Sequence, residues 1–161
     1  MFELSGKLLF DPENKTKKHE RQSEWKRTAM IMIDDGELAR YYAWFIEKRY
    51  NLKLSRPLRG THLTIINDRF FGDQTGYKQV RNKYDGTEIK FFIDPDVRTD
   101  GNHWWMNAVC PMAEQIREEA TLNPKPYFGF HITIGRPHER DEHHSHYIHR
   151  LIRTYGKEYV L

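Results

Sequence analysis

His131 and Thr133 stand two residues apart in Phe128-Gly-Phe-His-Ile-Thr-Ile-Gly-Arg136, and His62 and Thr64 repeat that spacing in Thr61-His-Leu-Thr-Ile-Ile66. Successive side chains on a β-strand alternate faces, so each pair projects one imidazole and one hydroxyl side by side from one sheet face. An imidazole titrates near neutrality, so one histidine can take a proton while the other donates one. That pairing suits cleavage of an RNA-type phosphodiester by attack of the sugar's own 2′-hydroxyl on the adjacent phosphorus. One histidine removes the hydroxyl proton, and the other protonates the departing 5′-oxygen. The threonine hydroxyls bond the non-bridging oxygens, where charge gathers in the transition state. The chemistry asks for no metal and no covalent enzyme intermediate, and the two histidines can exchange roles.

The surrounding sequence must supply strands for these pairs. Lys7–Phe10 reads as a short edge strand, and the polar, charged residues 11–24 as a solvated loop. Thr28–Ile33 is a strand, followed by Asp34 and Asp35, with Glu37 placed to complete a helix cap. Leu38, Tyr41, Tyr42, Phe45 and Ile46 form an apolar stripe on a helix of about 15 residues. Ser55–Gly60 punctuates before the His62 strand. Tyr77, Val80 and Tyr84 suggest a short helix, and Glu88–Ile93 a strand ended by Asp-Pro. A loop over 98–102 leads to a strand, Trp104–Cys110, then a helix with Pro111 at its first position and Met112, Ile116 and Ala120 inward. Asn123–Pro126 breaks that helix before the His131 strand. A last helix over 141–155, with Ile148, Leu151, Ile152 and Tyr155 inward, precedes the tail 156–161.

Strand, helix, loop and His-x-Thr strand therefore occur twice, over about 28–66 and 104–135. The expectation is an internal duplication within one domain, 1–161. Its fold class is α/β (α+β), with two similar lobes around a shared cleft.

Composition sets the limits. The chain has 161 residues, 38% of them hydrophobic and 14% aromatic, enough to build one core. A net charge of +3, spread along the chain, suits a small anionic ligand better than duplex DNA. No apolar run reaches the roughly 18 residues of a membrane span. The start lacks the basic-then-apolar order of a secretion signal, and the one cysteine, Cys110, rules out an internal disulfide. These features lead to an expectation of a cytoplasmic protein with no obligate protein partner. Cys110, amid apolar neighbours, reads as a buried small residue and not a nucleophile.

Further residues suit ligand binding. Phe91 and Phe92 are adjacent on one strand, as are Trp104 and Trp105, so one of each pair faces the core. Phe92 and Trp105 are the candidates to line the cleft and stack a base. Arg136 could neutralise a phosphate, and Glu158 could accept a bond from a base amine. His138, His143, His144, His146 and His149 form a dense cluster, with His143/His146 and His146/His149 at helical spacing. No cysteine joins them and charged residues intervene, so the expectation is no metal and no cofactor.

Thr61-His-Leu-Thr-Ile65 and Phe130-His-Ile-Thr-Ile134 resemble the paired motifs of the two-histidine (2H) phosphoesterase superfamily. That family includes 2′-5′ RNA ligase-like proteins and 2′,3′-cyclic phosphodiesterases, with a bilobed fold around a central cleft. The resemblance implies that His62, Thr64, His131 and Thr133 are catalytic. The length, the 69-residue separation and the Phe-His-Ile-Thr-Ile-Gly-Arg ending most resemble the phage anti-CBASS nucleases. Those degrade cyclic di- and trinucleotide immune signals without metal, which implies a substrate such as 3′,3′-cGAMP and, if phage-encoded, a host-cytoplasmic location. Two alternatives remain open at this point. One is an enzyme acting on 2′,3′-cyclic phosphate or 2′-5′-linked RNA ends, and the other is a module that sequesters a nucleotide without turnover.

Overall fold

The structure, a computed structural model, describes residues 1–12, 27–57, 59–67 and 74–137, together with the backbone of 159–160. Along these residues run β1 (Phe2–Phe10), β2 (Thr28–Asp34), α1 (Glu37–Tyr50), β3 (Leu54–Ser55), β4 (Thr61–Asn67) and α2 (Gln74–Tyr84). They are followed by β5 (Glu88–Thr99), β6 (Trp104–Val109), α3 (Pro111–Glu119), β7 (Phe130–Pro137) and β8 (Tyr159–Val160). The fold is mixed α/β with antiparallel pairings. Strand order is β1-β2-β4-β7-β6-β5, and a β1–β5 pairing closes the path on itself. Among the described residues no helix is long and apolar enough to cross a membrane.

The pairings read alike in the two halves. β1 pairs β2 and β2 pairs β4; β5 pairs β6 and β6 pairs β7. The halves join at both ends, β1 to β5 and β4 to β7. β1 is therefore no edge strand. It extends back to Phe2 because residues 2–7 pair with β5, while Lys7 pairs on both sides, with Met32 and with Glu88. One sheet face is apolar and builds the core with Leu8, Ile31, Leu63, Phe91, Met106 and Ile132, all fully buried. α1 lies against β7 and β4, and α3 against β5 and β4.

Several local expectations change. α1 buries Ala39, Ala43 and Ile46, while Tyr41 and Phe45 are exposed. Small alanines let the helix approach the sheet closely, so the narrow face docks and the bulky stripe flanks it. Its cap is not supplied by Glu37. The Asp34 carboxylate accepts the amides of Gly36 (2.7 Å) and Leu38 (3.3 Å) from upstream. α2 buries Tyr77, Val80 and Tyr84 as its spacing requires. β5 continues through Asp94-Pro95 to Thr99 because the ladder to β6 shifts between Ile93 and Val97, and a bulge tolerates proline. α3 turns Ala113 inward and leaves Met112 exposed, with Ile116 and Ala120 buried as expected. The 141–155 helix and nearly all of the 11–24 loop lie outside the described residues.

One buried cation ties the halves together. Arg117 on α3 donates from Nη1 to the Ile65 carbonyl and from Nε to the Asn123 carbonyl, both at 2.7 Å. Ile65 belongs to the first His-x-Thr strand, and Asn123 opens the loop that leads to the second. Arg117→Met keeps the aliphatic bulk but strips one buried and one part-buried carbonyl of a charged donor. Urea denaturation is expected to show a loss of about 3 kcal/mol; a loss below about 1 kcal/mol would sink this account of the junction.

Candidate active site

Burial of Leu63 and Ile132 sets the orientation of the two motifs. They face each other across the β4–β7 pairing. In an antiparallel pair this register sets His62 across from Thr133 and His131 across from Thr64. All four side chains lie on the opposite face from the core and are half-buried. Each imidazole of one half thus faces the hydroxyl of the other. Among the described residues neither threonine hydroxyl has a hydrogen-bond partner, so both remain able to bond a ligand.

The rings are oriented by backbone two residues upstream. His62 Nδ1 lies 2.9 Å from the Gly60 carbonyl, and His131 Nδ1 lies 3.2 Å from the Gly129 carbonyl. A carbonyl only accepts, so each Nδ1 carries a hydrogen and each neutral ring keeps its lone pair at Nε2. Both glycines are left-handed, with φ +74° and +67°. The repeated unit is therefore Gly-x-His-x-Thr, a signal present in the sequence that reading from the histidines alone passes over.

A bulge follows each motif at the same place. Thr64 pairs Met30 and Ile66 pairs Ala29, which leaves Ile65 as the extra residue; Thr133 pairs Trp105 and Gly135 pairs Trp104, which leaves Ile134. Simple alternation sends Arg136 to the core face with Ile132. The bulge re-phases the strand and returns Arg136, like Asn67 in the first half, to the histidine face. The β3 pairing agrees, since buried Leu54 lies opposite Pro137 and exposed Ser55 opposite Arg136.

The flanking strands differ between halves. Across β2–β4, Met32 faces His62 and Met30 faces Thr64. Across β6–β7, Asn107 faces His131 and Trp105 faces Thr133. Trp105 Nε1 donates to Asn107 Oδ1 at 2.9 Å. Arg98 lies opposite Trp105 and pairs with Asp94 at 3.7 Å, and Lys7 lies opposite Met32. Asn107, Arg98 and Lys7 carry no motif, and only the strand register brings them to this face. Phe92 is exposed opposite Val109, an outer rung of the same face, while Phe91 is buried in the core. Trp104 is buried against Tyr50. Glu158 and the histidines at 138, 143, 144, 146 and 149 lie outside the described residues. Cys110 is buried, and burial pushes its thiol up, away from the reactive thiolate.

Both imidazoles titrate below the ordinary 6.5. Burial is the main cause at His62; the Gly60 carbonyl opposes it, and Arg59 and His131 add to it. Burial also dominates at His131, opposed by the Gly129 carbonyl and reinforced by His103. Each ring therefore resists holding a proton until an anion arrives. Asp34 sits beside this site. Burial raises its carboxyl, but bonds from the Thr61 hydroxyl and the amides of Gly36, Leu38 and Glu37 bring it below the usual range. Thr61 Oγ1 in turn accepts the Ala39 amide at 3.2 Å, which docks the start of β4 on the N-terminus of α1.

The two glycines make different demands. A Cβ at Gly60 would meet the Asp34 carbonyl at 2.7 Å, whereas one at Gly129 meets nothing within 4 Å. Gly129→Ala is expected to cost about 1–2 kcal/mol from its left-handed backbone alone. Gly60→Ala adds a backbone clash and is expected to cost more, with urea midpoints for both variants as the check; equal losses would contradict the packing described. In comparisons with protein-family models, curated proteins and solved structures, the chain gives no match, so the reading of this site rests on its own geometry.

Proposed function

We propose that the chain is a metal-independent phosphodiesterase of the two-histidine kind that opens the 3′–5′ linkages of cyclic di- or trinucleotides. The closed sheet then corresponds to two lobes of one duplicated domain, with the histidine face as their cleft. One observation supports this most: two Gly-x-His-x-Thr strands meet in register, and each leaves an Nε2 and a hydroxyl available on the same face. A single histidine offers only one proton transfer at a time, whereas ring opening needs a base and an acid together.

In the reaction, the 2′-oxygen forms a bond to phosphorus as the bond from phosphorus to the 5′-oxygen breaks. The neutral imidazole takes the 2′-hydroxyl proton at Nε2, and the protonated one gives its Nε2 proton to the 5′-oxygen. Thr64 and Thr133 donate to the non-bridging oxygens, with Lys7, Arg59, Arg98 and Arg136 as nearby positive charge. The product is a 2′,3′-cyclic phosphate end, which water then opens to a linear 3′-phosphate by the reverse use of the two rings. In a phage-infected cell this activity would act in the host cytoplasm and remove the signal of CBASS defence.

The test is incubation of the protein with 3′,3′-cGAMP in EDTA, with products identified by mass and chromatography. A linear dinucleotide ending in 2′,3′-cyclic phosphate or 3′-phosphate is expected. His62→Ala and His131→Ala should each lower turnover by about 10²–10⁴-fold while largely keeping ligand affinity. Near-normal rates in either variant would remove the acid–base pair. Intact ligand would turn attention to RNA ends or, if the ligand is bound, to sequestration.

The pH profile follows from the two depressed imidazoles. The active form holds one proton on the pair, and it is most populated between two values that both lie below 6.5. kcat/KM, which reports the free enzyme, should be bell-shaped with its maximum on the acid side of pH 6.5. A bound phosphate favours the charged rings, so kcat should peak at higher pH than kcat/KM. A kcat/KM that climbs steadily through pH 8 would exclude this assignment.

A further inference from the structure

We propose that Trp105 and Asn107 form a base-reading ledge on the His131 side of the site, one that selects guanine over adenine. This deepens the nucleotide reading of the site and rests on it. Both residues are half-buried on the histidine face, Trp105 across from Thr133 and Asn107 across from His131. The corresponding positions across from Thr64 and His62 are Met30 and Met32, which offer no hydrogen bond to a base edge. The two half-sites therefore treat their nucleotides differently, although their catalytic strands match.

The selectivity comes from one hydrogen bond. The Trp105 indole N–H is a donor only, so its bond to Asn107 Oδ1 at 2.9 Å settles which way the amide points. The oxygen is held toward the indole and the NH2 group is turned away from it. Among the described residues that NH2 has no partner. An asparagine free to orient both groups pairs with adenine, donating to N7 and accepting from the N6 amine. With its oxygen turned to the indole, Asn107 directs its NH2 donors outward. Guanine shows two acceptors, O6 and N7, on the same edge, whereas adenine shows one acceptor beside a donor. The half-buried indole beside it provides an aromatic surface for the same base, which by itself tolerates any base. Stacking thus supplies affinity on this side and Asn107 supplies the choice.

The test measures binding separately from turnover. Rings built from 2′-deoxynucleotides lack the attacking hydroxyl, so the 3′,3′-cyclic di-dGMP and di-dAMP analogues can be titrated calorimetrically without cleavage. The unaltered protein should bind the guanine ring about tenfold more tightly. Trp105→Phe keeps an aromatic face but frees the Asn107 oxygen, and should shrink the ratio to about threefold or less, or reverse it toward adenine. Asn107→Asp keeps an acceptor for the indole but removes the outward donors, and should abolish the preference for guanine. Equal affinity of the unaltered protein for both rings, tighter adenine binding, no binding of either ring, or an unchanged ratio in both variants would overturn the proposal. Cleavage of the ribose rings without base preference would overturn this inference and leave the proposed reaction standing. Guanine-selective binding without cleavage of any ribose ring would do the opposite.

Discussion

The site depends on the burial of two aliphatic side chains, Leu63 and Ile132, on the same side of one short strand pairing. In a strand the side-chain period is two, so a slip of one residue would exchange the faces of every neighbour. Such a slip of either strand would drive its imidazole and hydroxyl into the core and expose its aliphatic residues. The hydrophobic penalty against that slip is what holds the polar quartet on the other face. It also explains why the pairing can be short. A few fully buried residues specify register more strongly than a long ladder of half-exposed ones.

Once the face is set, the backbone does most of the orienting. Each imidazole is held by a carbonyl of its own strand entry, and the left-handed glycine bearing that carbonyl turns it toward the ring. Among the described residues neither ring has a carboxylate partner, and the pull of each carbonyl toward the charged form is outweighed. Burial instead lowers both, and the charged state becomes favourable when an anion shares the face. The fold therefore orients both rings without fixing a proton on either in advance.

The two halves match closely in backbone and differ in what lines them. Glycine, histidine, threonine and bulge recur at the same relative positions, yet methionines line one half while a tryptophan and an asparagine line the other. The histidine face thus has matched motifs and unmatched neighbours. Arg117 bridges the two halves, since it binds backbone of the bulge after Thr64 and of the loop before His131.

The sequence by itself determined the chemistry-bearing residues and their local geometry. The His-x-Thr spacing, the β-branched surroundings and the helices between strands are local features, governed by alternation and periodicity within a few residues. It also limited each adjacent aromatic pair to one core member, and Phe91 and Trp104 are those members. Only the tertiary structure decided which face of α1 docks, because alanine size matters there and the apolar count alone does not. It likewise decided that β1 closes the sheet and that β5 runs past its proline. The positions of Arg136, Asn107 and Arg98 were equally out of reach, for a common reason. Strand alternation is local, but bulges and cross-strand neighbours depend on which strands pair and in what register, and that is settled by burying the whole core at once.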